Sequence, residues 1–457
     1  MFLANDGELL SQLFMRCGID APHPCAGRGI CQKCKAHVDG KEILTCEYRV
    51  TSDVTVSLGR GAEINVSWLS DIEKHREDDL FYALDLGTTT LALALVSYSG
   101  EIVCRANAYN PQSVFGGDVI SRIAYCTAHG AASLQAPLIK RINEMTAAIG
   151  QRVGHMLVAG NTTMLHLFFG VDCSSMGASP YTPAFLGEKE SNASSLGISG
   201  AEKVTALPSA HAFVGADVMA GLGCCDMPRE GKFSLLADLG TNAEIVLFSR
   251  DKILCTAAAA GPCFEGASIS CGMGALDGAI CSFSLNGGLP KAVTVGNVPP
   301  KGICATGLID IAHSLLEAGI IDESGYMEDD YLISEGVCLT PRDVRELQLA
   351  KSAVCSAIEA LIADEGITLD DIDTLYITGG FAEKLSCRKA AGFGLIPPAL
   401  EGACRNISNA CLSGIIKYVC EEIPLGGYAE GAIYRDLTLS EVFNSRFMEN
   451  MSFYTED

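Results

Sequence analysis

Four cysteines carry the first recognisable chemistry. Cys25, Cys31 and Cys34 are spaced C-x5-C-x2-C, and Cys46 follows after eleven intervening residues. Four thiolates at such spacing suit a [2Fe–2S] cluster, whose plant-type pattern is C-x4-C-x2-C…C, or a tetrahedral zinc ion. Zinc sites usually bring two C-x2-C knuckles, and here only Cys31 and Cys34 form one. The intervening Ala26, Gly27 and Gly29 are small, which lets backbone N–H groups approach bridging sulfides and stabilise their charge. The spacing therefore favours [2Fe–2S] over zinc, with Cys17 as the substitute should Cys46 not be the fourth ligand.

The second chemistry is phosphate handling, and its motif occurs twice: L-D-L-G-T-T-T from Leu84 and A-D-L-G-T-N from Ala237. In the first copy Gly87 permits a tight turn that presents backbone N–H groups, Thr88 and Thr89 add hydroxyl donors, and Asp85 can hold Mg²⁺ through water. Asp238, Gly240, Thr241 and Asn242 repeat the set. Glu265, in G-P-C-F-E-G, reads either as a carboxylate reaching phosphate or metal, or as an exposed loop acid. Gly160, Asn161 and Thr162 end an apolar strand and read as phosphate neighbours or as structure, and Gly116-Gly117-Asp118 is open in the same way.

Positioning these groups requires strand–turn–strand units. Asp85 and Asp238 stand 153 positions apart in matching contexts, and L-V-A-G-N in one half matches Y-I-T-G-G in the other. Two like subdomains, each with a glycine hairpin and a later strand-to-glycine junction, imply an α/β fold whose halves face each other across a ligand cleft. Leu9–Cys17 and Pro137–Val153 have helical spacing. Thr340-Pro341-Arg342-Asp343 starts a helix that Gly366 ends. The organisation expected is a small module at 1–60, a linker at 61–79, subdomains at 80–230 and 231–440, and a polar tail at 441–457.

Composition narrows the classes. The 457 residues carry a net charge of −23, which disfavours nucleic acid and anionic membrane as partners. No basic leader or long apolar run opens the chain, so a cytoplasmic location is expected. Twenty-one cysteines in so long a chain point to a reducing, anaerobic cytoplasm rather than to a disulfide framework. Cys224, Cys225, Cys255, Cys263, Cys271, Cys281 and Cys355 read as small hydrophobic residues.

The two hairpins and I-T-G-G-F at Ile377–Phe381 resemble the acetate and sugar kinase, heat-shock chaperone and actin superfamily. That resemblance implies a two-lobed actin-like ATPase of duplicated ribonuclease-H-like subdomains, preceded by a small α+β [2Fe–2S] ferredoxin-like module. It makes Asp85 the Mg²⁺-positioning acid and Asp238 the residue that orients or activates the attacking water. Gly379, Gly380 and Phe381 would line the adenosine pocket.

The cysteine loop is similar to the adrenodoxin-like ferredoxins. The order of parts, with N-P-Q…G-G-D-V-I-S-R-I, G-N-T-T-M-L-H-L and G-P-x-F-E-G-A, resembles the reductive activators of corrinoid proteins over roughly residues 20–420. The family implies ATP-dependent return of a Co(II) corrinoid to Co(I), in methyl-transfer systems such as anaerobic O-demethylation. Its implied partners are a corrinoid protein, a reduced ferredoxin or flavodoxin-type donor, and a second copy in a homodimer. The chain departs from the family in an abbreviated amino-terminal module, a short spacer and no closely spaced C-terminal cysteines. The alternatives are an activator of 2-hydroxyacyl-CoA dehydratase type, a small-molecule kinase and a redox sensor.

Overall fold

The computed structural model describes residues 3–5, 7–17, 19, 34–58, 64–72, 75–266 and 268–453. The chain forms two compact units: residues 1–224 with 411–430, and residues 225–410 with 431–457.

The first unit is built on a seven-stranded sheet. Its central strand, Leu80–Leu86, is buried throughout except for a partly exposed Asp85, as expected of a strand covered on both faces. On one side it pairs antiparallel with Thr90–Ser97, which pairs antiparallel with Ile102–Tyr109. On the other it runs parallel to Val153–Gly160, which is parallel to Ala201–Ala206. The second unit repeats this order. Phe233–Leu239 is antiparallel to Ala243–Phe248, and that strand to Ile253–Ala258. Phe233–Leu239 is also parallel to Ile372–Thr378, which is parallel to Cys404–Asn406. The fold is α/β, with the same three antiparallel and two parallel strands in both units.

The amino-terminal segment carries a small core of its own. Leu10, Leu13 and Phe14 on the helix Leu10–Arg16 pack with Val38 and Val50 beside a three-stranded sheet. The helix from Pro341 to Glu365 starts and stops where expected. Thr340 caps it in a reciprocal capping box with Asp343, and Gly366 closes it in the left-handed conformation.

The structure differs from the sequence reading in four places. The segment taken as a linker contains the strand Asn65–Trp68, which joins the first sheet as an edge against Ile102–Tyr109; polar flanks hide so short an edge strand. The stretch 411–430 returns to the first unit, because Gly414 packs on the helix Ala216–Leu222 so closely that a Cβ would lie 1.8 Å from the Ala220 carbonyl oxygen. Cys387 and Cys404 form a disulfide, whereas thiols were expected throughout outside the metal site. Finally, the supposed tail contains the helix Glu441–Glu449, with Phe443 and Phe447 against the core and Phe453 inside it.

That last segment is clasped by a buried lysine. The Lys351 ammonium donates to the Asn450 carbonyl at 2.5 Å and the Ser452 carbonyl at 2.6 Å, and lies over the Phe453 ring. Burial pulls its pKa down to about 8. Truncating the chain after residue 440 removes these acceptors together with Phe443, Phe447 and Phe453, and uncovers the apolar face they bury. The expected loss is about 3 kcal/mol or more of unfolding free energy in urea titration. A change below about 1 kcal/mol would show that the clasp contributes little.

Candidate functional site

Both hairpins are held by the same strand register. In the first unit Asp85 pairs with Ala159, and Gly160 follows opposite Leu86. In the second Asp238 pairs with Thr378, and Gly379 follows. A Cβ on Gly160 would lie 2.6 Å from the Leu86 carbonyl oxygen, and one on Gly379 would lie 2.2 Å from that of Leu239. Gly379 also has φ of +113°, which a side chain strongly disfavours. Each unit therefore places an aspartate at the carboxyl end of its central strand, beside a glycine that only glycine can be.

In the second unit three predicted pieces meet. The Thr241 hydroxyl donates to Glu265 Oε1 at 2.8 Å, so the G-P-C-F-E-G loop reaches the second hairpin. Phe264 and Phe381 pack with ring centroids 5.2 Å apart, which ties the same loop to the Gly379–Phe381 segment. Gly266, at φ +73°, turns against the Met273 backbone and closes the loop. Glu265 is partly buried and bonded to the motif threonine, so it is not a solvated loop acid. Cys263 beside it is buried, and burial pushes its thiol well above the ordinary range, leaving an inert core residue.

In the first unit the junction side chains are engaged in structure. Asn161 Oδ1 accepts from the Thr163 N–H at 3.0 Å, and the Thr162 hydroxyl donates to the His211 carbonyl at 2.6 Å. Asp118 caps the helix Val119–His129 in a capping box with Ser121, which settles Gly116-Gly117-Asp118 as a helix entry. Asp217 was missed from sequence. It opens the helix Ala216–Leu222, and a Cβ on Gly215 would lie 2.6 Å from Asp217 Oδ1, Gly160 O and Asn161 Cα alike. This acid thus stands at the junction that carries Asp85. An acid just after a glycine, opening a helix, was the signal available for it.

The cysteine loop is described only in part, since Cys25 and Cys31 lie outside the described residues. The hairpin of Lys35–Val38 and Lys41–Leu44 turns at Asp39-Gly40 and sets Leu44 opposite Lys35. Cys34 and Cys46 therefore flank the same end, both buried, with sulfurs 3.2 Å apart. The short gap before Cys46 is what a tight hairpin needs to bring it to Cys34. Two converging buried thiols fit a shared cluster. Among the described residues no group of three or more metal-ligating side chains occurs.

A family model described as the RACo middle region matches residues 80–230, and one described as the C-terminal domain of RACo, the ASKHA domain, matches residues 232–457. The chain belongs to the RACo family. Among curated relatives, the corrinoid activation enzyme RamQ of Eubacterium limosum is 30% identical over 396 residues, covering 75% of this chain and 66% of that protein. The [Co(II) methylated amine-specific corrinoid protein] reductase of Methanosarcina barkeri is 25% identical over 428 residues, covering 82% of this chain and 77% of its own. A solved reductive activator for corrinoid, iron-sulfur protein shares the fold at TM-score 0.73 and 24% identity, covering 99% of this chain and 96% of the other.

The G-N-T-T-M-L-H-L string of this RACo-family chain contains a buried histidine, His166, whose protonation is set by geometry. His166 Nδ1 faces the Thr162 carbonyl at 2.8 Å, and Nε2 accepts from the Ala184 N–H at 3.0 Å. A carbonyl only accepts and an amide N–H only donates, so the ring is neutral and its Nδ1 carries the proton. Burial lowers its pKa below the ordinary 6.5. Between these values the unfolded chain binds a proton that the native chain refuses, so the contribution of His166 to stability is complete above pH 6.5 and is lost as pH falls below it. Burial also lowers the pKa values of His155 and His313. The predicted result is a thermal midpoint that drops from pH about 7 to about 5, with a shallower drop in a less stable His166→Leu variant. Equal slopes would show that His166 protonates freely.

Proposed function

We propose that this chain is an ATP-driven reductive activator of a corrinoid protein, delivering one electron to a Co(II) corrinoid to give Co(I). The observation that carries the proposal is the repeated aspartate–glycine junction combined, in one chain, with a hairpin that brings two buried cysteines together. The activities for which its curated relatives are named support the same reading.

In this reading Cys25, Cys31, Cys34 and Cys46 hold a [2Fe–2S] cluster that supplies the electron, refilled by a reduced ferredoxin or flavodoxin-type donor. Asp85 would position Mg²⁺ through water and Asp238 would orient or activate the attacking water, with Glu265 fixing Thr241 for the phosphates. Gly379, Gly380 and Phe381 receive the adenosine. Such catalysis rests on positioning and charge stabilisation, because phosphoryl transfer asks little covalent chemistry of the protein.

The need for ATP follows from potentials. A one-electron step is uphill by about 1.4 kcal/mol for each ~59 mV by which the acceptor lies below the donor. Plant-type [2Fe–2S] centres lie near about −400 mV, and Co(I) is a far stronger reductant than such a centre. Nucleotide binding and hydrolysis supply the difference and make the transfer irreversible.

The test is anaerobic. Activator is mixed with a Co(II) corrinoid protein and a low-potential reductant, and Co(I) absorbance is followed with and without Mg-ATP. The proposal predicts Co(I) only with ATP; equal rate and extent without it would overturn the proposal. The ligand set makes a separate prediction. Cys34→Ser and Cys46→Ser should lose most bound iron, sulfide and visible absorption, while Cys17→Ser keeps them. A colourless Cys17→Ser protein with an intact Cys46→Ser would reassign the fourth ligand.

A further inference from the structure

The first hairpin turn is gripped from one side through three successive carbonyl oxygens. Gly87 O accepts from Asn110 Nδ2 at 2.9 Å, Thr88 O from Arg122 Nη2 at 2.6 Å, and Thr89 O from the Asn110 N–H at 2.9 Å. Asn110 and Arg122 are both fully buried.

The grip is itself braced. Arg122 Nε donates to Gly116 O at 3.0 Å, and its Nη1 reaches Gln112 Oε1 at 3.4 Å and Met164 Sδ at 3.0 Å. Gln112 in turn donates to Leu134 O at 3.1 Å. Asn110 Oδ1 accepts from the Gln112 N–H at 2.9 Å, which fixes the amide so that Nδ2 faces the turn. Gly116 lets this loop approach, since a Cβ there would lie 2.8 Å from Arg122 N. One guanidinium thus joins the hairpin, the G-G-D loop and the helix Thr162–Phe168.

We infer that Asn110 and Arg122 are positioning residues for the nucleotide phosphates. A trans peptide points its N–H opposite to its C=O. With the carbonyls of Gly87 and Thr88 tied back to the scaffold, the N–H groups of Thr88 and Thr89 point away from it. That is the orientation an anion-binding turn requires of its donors. A carbonyl that accepts from a cation is also polarised, which strengthens the N–H across the same peptide plane. Arg122 therefore acts on the ligand through the backbone without touching it. This role rests on the ATP reading proposed above.

The test uses the full-length protein and steady-state hydrolysis of Mg-ATP. Arg122→Lys keeps the charge but cannot hold Thr88 O and Gly116 O together. Asn110→Asp keeps the acceptor for Gln112 N–H and loses the donor to Gly87 O. Misplacing the turn should raise KM for ATP about tenfold in each variant, with a smaller fall in kcat. The inhibition constant of adenosine, which has no phosphate, should stay unchanged. A purely structural role would instead lower the folded fraction, so kcat would fall while KM stayed within about twofold, and that result overturns the inference. If Arg122→Lys does not fold, the KM of Asn110→Asp decides. Wild-type protein that neither binds nor hydrolyses ATP would remove the ATP reading and this role together. Wild-type turnover with unchanged KM in the variants removes this role alone.

Discussion

The close parallel pairing beside each aspartate is the constraint on which the structure depends. A strand bearing Asp85 or Asp238 lies against one that ends in Gly160 or Gly379, so close that neither glycine leaves space for a methyl group. Parallel strands gather their carboxyl ends at one edge of a sheet, where ligands of open α/β sheets bind. The glycine removes the side chain that would cover that edge, and the neighbouring aspartate stays partly exposed. A hairpin turn lies beside this feature in each unit, joined in the first by the helix entry at Asn161 and in the second by the G-P-C-F-E-G loop.

Most polar side chains near the junctions shape backbone. Asn161, Thr162, Asp118, Asn110 and Arg122 spend their hydrogen bonds on protein groups. If phosphate is held through backbone N–H groups, as proposed, the donors carry no sequence signature of their own, and the residues that aim them lie one layer behind. The cysteine hairpin follows the same logic, since its register brings Cys34 and Cys46 to one end with no side chain beyond the thiols.

Much of this was legible in the sequence because it depends on local pattern. The aspartate–glycine hairpins, their duplication and the helix from Thr340 to Gly366 each rest on a few adjacent residues with strong conformational preferences. What was not legible depends on tertiary partners. The helix Glu441–Glu449 offers Phe443 and Phe447 from a polar background, and only the buried Lys351 reveals why the segment is held. The return of 411–430 to the first unit hinges on Gly414, an unremarkable glycine until Ala220 is seen against it. Asn110 and Arg122 lay inside strings already noticed, but their roles appear only once the carbonyls they hold are identified.

The most direct measurement is Co(I) formation by Asp238→Asn protein whose iron and sulfide content matches wild type, in the presence of Mg-ATP and a low-potential reductant. The account predicts that ATP hydrolysis and Co(I) formation are lost together while the visible spectrum of the cluster is unchanged. Co(I) appearing at the wild-type rate and extent, with hydrolysis abolished, would contradict the claim that turnover at the aspartate–glycine junctions drives the electron.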